Sequence, residues 1–271
     1  MRKIQKLFCV IAVALILLML AGHAWADDVS ILSSSSFVDD AGRYHIVGEV
    51  QNTLQSSISQ VDIIAYFYDQ NYTTLGMNST YTLLDIVPPG AKTPFDVVCS
   101  GTAVIPQISS YNLIVSYVIP MSEKPAGIRI LNSSSHFSQG GDLHVTVDIQ
   151  NVQTGKATKV EAIATFYASD GTVVDCGFNF IDPPSLMPNQ KASFDIIVRN
   201  SSRIPQILFY QLTCQSQEYA EAIPEYTSII AVLLLASSTI LGATFWKKRT
   251  RARFSQTPHH VEYAFEKPRV V

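Results

Sequence analysis

The sequence predicts an all-β protein: two tandem Ig-like antiparallel β-sandwiches, preceded by an N-terminal signal peptide and followed by one C-terminal transmembrane helix. Three observations carry that expectation. The region between the ends repeats itself at a spacing of 99 residues. Its apolar residues alternate with a period of two. Two uncharged apolar runs stand at the termini, each beside a basic cluster.

Charge divides the 271 residues along the same lines. Residues 1–26 carry three basic groups and no acidic ones, residues 27–226 carry 9 basic and 20 acidic, and residues 227–271 carry 7 basic and 2 acidic. The net charge of −3 therefore hides an acidic middle between two basic ends, which is a topology signal and no basis for nucleic-acid binding. Charged residues make up only 15% of the chain, too few for a disordered polyelectrolyte. Four cysteines are too few for a disulfide-dense miniature scaffold.

At the N-terminus, Arg2, Lys3 and Lys6 precede an apolar run from Leu7 to Leu20. The small-x-small site Ala24-Trp25-Ala26 places signal cleavage after Ala26, an uncleaved anchor helix being the alternative. Residues 27–121 form the first repeat and residues 128–222 the second, with a short join at 122–127. Between them Ile31-Leu32 aligns with Ile130-Leu131, Gln51-Asn52 with Gln150-Asn151, Phe67-Tyr68 with Phe166-Tyr167, Phe95-Asp96 with Phe194-Asp195, and Ile105-Pro106-Gln107-Ile108 with Ile204-Pro205-Gln206-Ile207. Roughly 25 of about 83 aligned positions are identical, where unrelated sequences would share about five.

Each repeat reads as short strands. Tyr44, Ile46, Gly48 and Val50 alternate with His45, Val47 and Glu49, and Leu143, Val145, Val147 and Ile149 alternate with His144, Thr146 and Asp148. Such alternation predicts one buried and one wet face. The segments 61–68 and 160–167 are apolar on both faces, as a central strand would be, and Asp170-Gly171 predicts a tight hairpin. The run Ser33–Ser36 recurs at the matching place in the second repeat, which favours a polar first strand over a linker. Strands of this number in about 99 residues fit a sandwich.

After the second repeat, residues 226–246 are uncharged and would reach about 30 Å as a helix, enough to cross a bilayer core. Tyr226 and Trp246 stand where interfacial aromatics belong, and Lys247, Lys248, Arg249, Arg251 and Arg253 fix that end on the cytoplasmic side. The expected location is the plasma membrane, single-pass, with both repeats extracellular. The basic tail, residues 247–271, is expected to be disordered and to meet anionic lipid.

Two family resemblances follow. Ile223-Pro224-Glu225-Tyr226, an apolar span and a basic cluster resemble the PEF-type C-terminal anchors of archaeal surface proteins. Tyr226 replaces the family's Phe and the chain runs on past Arg253, so the resemblance implies a stable anchor rather than a processed sorting signal. A strand ending in Asn52, then Ala65-Tyr66-Phe67-Tyr68-Asp69, then Pro89-Gly90 before Phe95 resembles the FxLYD domain. Ala65 stands at the first Phe of that motif, and Ala168 replaces the Asp in the second repeat. The resemblance implies small extracytoplasmic β-sandwich modules, often duplicated and membrane-tethered, and brings no catalytic residues.

Candidate chemistry is sparse. Cys176 and Cys214 could pair outside the cell, or rest as buried small hydrophobes with Cys99. No His follows any of the three before the apolar span, so a blue-copper set is missing; His45 and His144 fall on the wet face, and His259-His260 lack a third ligand. The acid pairs Asp27-Asp28 and Asp39-Asp40 read as solvated surface, with Ca²⁺ requiring more oxygens. Asn71, Asn78, Asn132 and Asn200 head glycosylation sequons. No phosphate loop, His-Glu-x-x-His or Gly-x-Ser-x-Gly motif occurs. The expectation is a non-catalytic surface protein without cofactor or metal, bound to lipid through one helix and to an envelope protein or glycan. The alternative is a small-ligand or metal site in a cleft between the repeats.

Overall fold

The structure, a computed structural model, describes residues 28–181 and 185–222. The leader with Ala26, the apolar span 226–246 with Tyr226 and Trp246, and the basic tail with Lys247, Lys248 and Arg249 lie outside the described residues. Among the described residues no helix is long and apolar enough to cross a membrane.

The first repeat contains β1 (Val29–Val38), β2 (Tyr44–Asn52), β3 (Ile58–Tyr68), β4 (Thr74–Tyr81), β5 (Ile86–Val87), β6 (Lys92–Cys99) and β7 (Ser110–Val118). The second contains β8 (Ala126–Phe137), β9 (Leu143–Asn151), β10 (Ala157–Thr158), β11 (Glu161–Tyr167), β12 (Val173–Phe180), β13 (Ser185–Leu186), β14 (Lys191–Val198), β15 (Phe209–Gln215) and β16 (Ala220–Glu221). Single 3-10 turns at Ile105–Gln107 and Ile204–Gln206 interrupt an otherwise all-β structure. The offset of 99 therefore holds for the backbone as well as for the sequence. Even the break between β10 and β11 has its counterpart, since Lys159 and Gln60 both take a positive φ (46° and 49°).

In each repeat two antiparallel sheets layer over one core. The first repeat pairs β1-β2-β6 on one side and β4-β3-β7 on the other; the second pairs β8-β9-β14 and β12-β11-β15. Ile46, Val50, Phe95 and Val97 from one sheet meet Val61, Ile63, Ala65 and Phe67 from the other. Val145, Val147, Ile149, Phe194 and Ile196 meet Ala162, Ala164 and Phe166 in the same way. One exception to antiparallel pairing is β16, which joins the edge of β8 in parallel.

Identical residues do identical work in both halves. Asn52 and Asn151 are fully buried. Asn52 Nδ2 donates to the carbonyls of Ser56 and Val87 (2.9 Å each), while its Oδ1 accepts from Leu54 N–H. Asn151 repeats this with Gly155, Leu186 and Gln153. A buried amide is stable only when satisfied in this way, which explains an Asn ending an apolar strand. The serines of the polar run lie in β1 and β8, where Ser34 Oγ meets the Tyr111 hydroxyl at 3.1 Å.

The hairpin after β3 has the turn expected from Asp170-Gly171, but with Tyr72 (φ 59°) where the second repeat places Gly171 (φ 84°). Tyr72 is 81% exposed, so no packing offsets its left-handed backbone. Tyr72→Gly is expected to stabilise the protein by about 0.5–1 kcal/mol, read as a raised urea midpoint. An unchanged or lowered midpoint would contradict it.

Candidate functional site

Alternation fails at one strand in each repeat, and these two strands meet. The expected wet face of β2 is covered: His45 is 8% exposed, Glu49 4% and Val47 fully buried. In the second repeat the equivalent strand β9 keeps its half-exposed face. Of the two segments expected to be buried on both faces, β11 is so from Ala162 to Tyr167, whereas β3 alternates, its outer face left half-exposed because no module covers it. The physical reason is one seam: the outer face of β1-β2-β6 packs on the outer face of β12-β11-β15. Residues 28–222 accordingly form one compact unit.

The middle of the seam is apolar, formed by Val47, Tyr167 and Val173 with Phe37 and Cys176 against them. Ile163, on the outer face of β11, is grouped with the apolar core of the first repeat. Polar groups bracket this patch. Ser33 Oγ accepts from Val173 N–H at 3.1 Å, and Ser35 Oγ donates to Val173 C=O at 2.5 Å. The Tyr167 hydroxyl donates to Glu49, whose other oxygen pairs with Lys92 Nζ at 3.2 Å. Burial, and then the Glu49 carboxylate, push the Tyr167 phenol well above its ordinary pKa.

Arg203 reaches across from the second repeat and is itself buried. Its Nε donates to Val174 C=O at 3.0 Å, its Nη2 donates to Ser35 Oγ at 2.5 Å, and its guanidinium lies 4.8 Å from the Phe37 ring centre. Phe37 stacks in turn on His45 at 4.9 Å. His45 Nδ1 faces both Asp96 oxygens at 2.9 Å, and its Nε2 faces Asp39 at 3.3 Å.

Two groups make the seam sensitive to pH. Burial alone would lower the His45 pKa, but Asp96 and then Asp39 outweigh it and the imidazole is raised. Burial pushes the Asp175 carboxyl up to about 6 against the hydrogen bond it accepts from the Cys176 N–H, with Asp96 adding and Arg203 and His45 opposing. A raised group binds its proton more tightly in the folded state, so its stabilisation is full below the unfolded pKa and lost as pH rises through the folded one. For Asp175 that window runs from about pH 4 to about pH 6. Asp175→Asn is expected to match the natural chain near pH 4 and to exceed it by about 1–3 kcal/mol at pH 7.5. Urea midpoints across that range are the measurement, and parallel curves would refute the assignment.

A second set of contacts closes the join. Gln215 Nε2 donates to Leu83 C=O at 2.9 Å, and its Oε1 accepts from Asp85 N–H at 3.1 Å. Lys124 Nζ binds Asp85 at 2.8 Å and Ser216 C=O at 2.7 Å; Ser57 donates to Glu123 at 2.9 Å. The hollow left there, lined by Ser57, Pro88, Glu123, Lys124 and Glu221, measures 180 Å³.

Cys176 and Cys214 are both free thiols. They belong to β12 and β15 on opposite sides of β11, two strand spacings or about 10 Å apart, too far for a bond. Their sulfurs point instead to the carbonyls of Phe95 and Ile128. His45 and His144 are not simply solvated, because each is held by an acid, His144 by Asp195 at 2.7 Å. Asp39 serves the β1–β2 turn, its carboxyl held down at about 2 first by the Arg43 N–H. Among the described residues no three His, Cys, Asp or Glu side chains converge as a metal site.

Of the sequons, Asn71 and Asn132 are exposed. Asn78 Nδ2, the atom a glycan would take, donates to Val98 C=O at 2.6 Å, and Asn200 Nδ2 is buried. The residue that sequence reasoning missed is Arg203, whose equivalent is Val104. The signal was present as a departure from the repeat, in the same class as Phe37 opposite His136 and Val47 opposite Thr146.

No family model and no curated protein matches the chain. Solved structures with some likeness include the exo-chitosanase CsxA of Amycolatopsis orientalis (13% identity, TM-score 0.26, covering 71% of this chain and 26% of that one). Others are red sea bream transglutaminase (9%, 0.22, 72% and 30%) and a β-glucuronidase of glycoside hydrolase family 2 (13%, 0.24, 69% and 23%). The chain thus spans less than a third of their length, and likeness at this level carries no argument about activity.

Proposed function

We propose that the chain is a non-catalytic, single-pass surface protein whose two Ig-like β-sandwich modules stand outside the cell as a binding or structural element. The leader would be removed after Ala26, and residues 226–246 would hold the modules at the plasma membrane. FxLYD-type modules on a PEF-type anchor, read from the motifs quoted above, fit the same role. The observation that carries the reading is the outer face of β4-β3-β7. It leaves Met77 63% exposed, Tyr81 62%, Val118 50% and Ile114 46%. Large apolar groups gathered on one sheet face mark a contact surface. A ligand cleft at the join has less support, since 180 Å³ falls below the ~300–1,000 Å³ of small-molecule pockets.

The test is crosslinking of the full chain in its native membrane, with a Tyr81→Lys/Ile114→Lys variant beside it. A defined envelope component, held by the natural chain and lost by the variant, is the expected result. Equal recovery by both would remove this face from the reading.

A further inference from the structure

Resting on that surface role, we infer that the exposed face of the first module docks a second copy of this chain, head to tail, through the arrangement that already joins the two modules within one chain. The seam is heterologous: one module offers its β1-β2-β6 face and the other its β12-β11-β15 face. Each chain therefore keeps one unused face of each kind, β4-β3-β7 on the first module and β8-β9-β14 on the second. A contact of this type repeats from chain to chain unless its rotation closes a ring.

The polar frame of the seam and its tyrosine recur on the unused faces, whereas Val47, Phe37 and Val173 of its apolar middle are replaced by Thr146, His136 and Thr74. On the first module, Ile64 and Tyr68 occupy the positions of Ile163 and Tyr167. Ile163 and Tyr167 are 0% and 3% exposed in the seam, while Ile64 and Tyr68 are only half-buried. On the second module, Ser134, His144, Asp148, Lys191 and Asp195 occupy the positions of Ser35, His45, Glu49, Lys92 and Asp96. Within the chain the Tyr167 hydroxyl reaches Glu49 beside Lys92. At the equivalent place on the second module, Leu131, Asp148, Lys191, Ala192 and Ser193 line a hollow of 330 Å³. Tyr68 of a second chain is the side chain that this arrangement would seat there, with its hydroxyl toward Asp148.

The copy-specific residues set the strength. Arg203 has no counterpart but Val104, and Val47, Phe37 and Val173 give way to Thr146, His136 and Thr74, so the contact between chains lacks the guanidinium clamp and most of the apolar middle. It is weaker than the internal seam, which also benefits from the covalent join and its high effective concentration. Asn132 pairs with Asp148 and so lies on the same outer face of β8-β9-β14, where a glycan and assembly exclude each other.

The experiment is sedimentation velocity of the full chain in detergent micelles from about 1 to 100 μM, a span suited to contacts of micromolar strength. Ile64→Asp blocks one face and Thr146→Lys the other, and thermal unfolding within about 4 °C of the natural chain shows that each still folds. The natural chain is expected to grow with concentration beyond dimers, and each variant alone to associate at least tenfold more weakly. Mixed together, the two variants retain one good face each and form dimers that stop there. A natural chain that stays monomeric to 100 μM, variants that associate as it does, or a mixture no larger than its parts would each overturn the proposal. If the chain is monomeric yet still holds an envelope component in the membrane crosslinking, only self-assembly falls and the binding role stands.

Discussion

Ile163→Asp is expected to destabilise the protein by on the order of 4–5 kcal/mol, while Ile64→Asp, the same change 99 residues earlier, costs about 1 kcal/mol. Both isoleucines lie at the centre of equivalent strands, and both point away from the core of their own module. Ile163 is fully buried because the first module covers it. An aspartate there forfeits about 1.5–3 kcal/mol of apolar burial and must also give up hydration of its charge in a buried seam. Ile64 is half-buried and borders solvent, where a carboxylate keeps most of its hydration. Urea denaturation of the two purified variants measures the difference directly. The loss should appear as the uncoupling of the modules, so a transition that is single in the natural chain is expected to broaden or split in Ile163→Asp. Equal losses at the two positions would mean that the seam contributes nothing to stability.

The repeat and the strand pattern were legible in the sequence because each depends on neighbours within one module. The hydrophobic alternation of β9 matches its burial, and the serine run is a strand in both halves. The seam was not legible for a physical reason. A half-buried sheet face and a face buried under another module can carry nearly the same residues, as His45 and His144 or Tyr68 and Tyr167 do. What separates them is tertiary, and periodicity reports only the module's own core. The surviving trace lay in the mismatches between repeats. Arg203 for Val104 and Val47 for Thr146 are changes that make sense once one face is covered and its equivalent is free. For the cysteines, sequence placed both thiols in one module and left pairing and free burial open, and strand order, which sets β11 between them, decides for free thiols.

Not every departure from the repeat belongs to the seam, and Gly48 shows the other kind. It stands on the core face of β2, where the second module has the fully buried Val147. A Cβ added at Gly48 would overlap Phe95 Cζ and sit 2.8 Å from Phe95 Cε1 and 2.6 Å from the Ser33 carbonyl oxygen. In the first module the Phe95 ring lies over Gly48, whereas in the second Phe194 pairs with Val147 and both are buried, so there the ring leaves room for the valine side chain. Copying the second repeat's residue into the first, Gly48→Val, is expected to cost about 4–5 kcal/mol through overpacking against a fully buried ring. The reverse change, Val147→Gly, should cost about 2–3 kcal/mol by a different route, an unfilled core and a freer unfolded backbone. Phe95→Leu combined with Gly48→Val should recover part of the loss, because the two positions share one space and cannot be additive. Recovery should stay incomplete, since the Ser33 carbonyl belongs to the neighbouring backbone and cannot turn aside as a side chain can. Urea midpoints of the three variants decide the matter. Full additivity in the double variant would show that ring and valine do not compete, and that another constraint holds residue 48 as glycine.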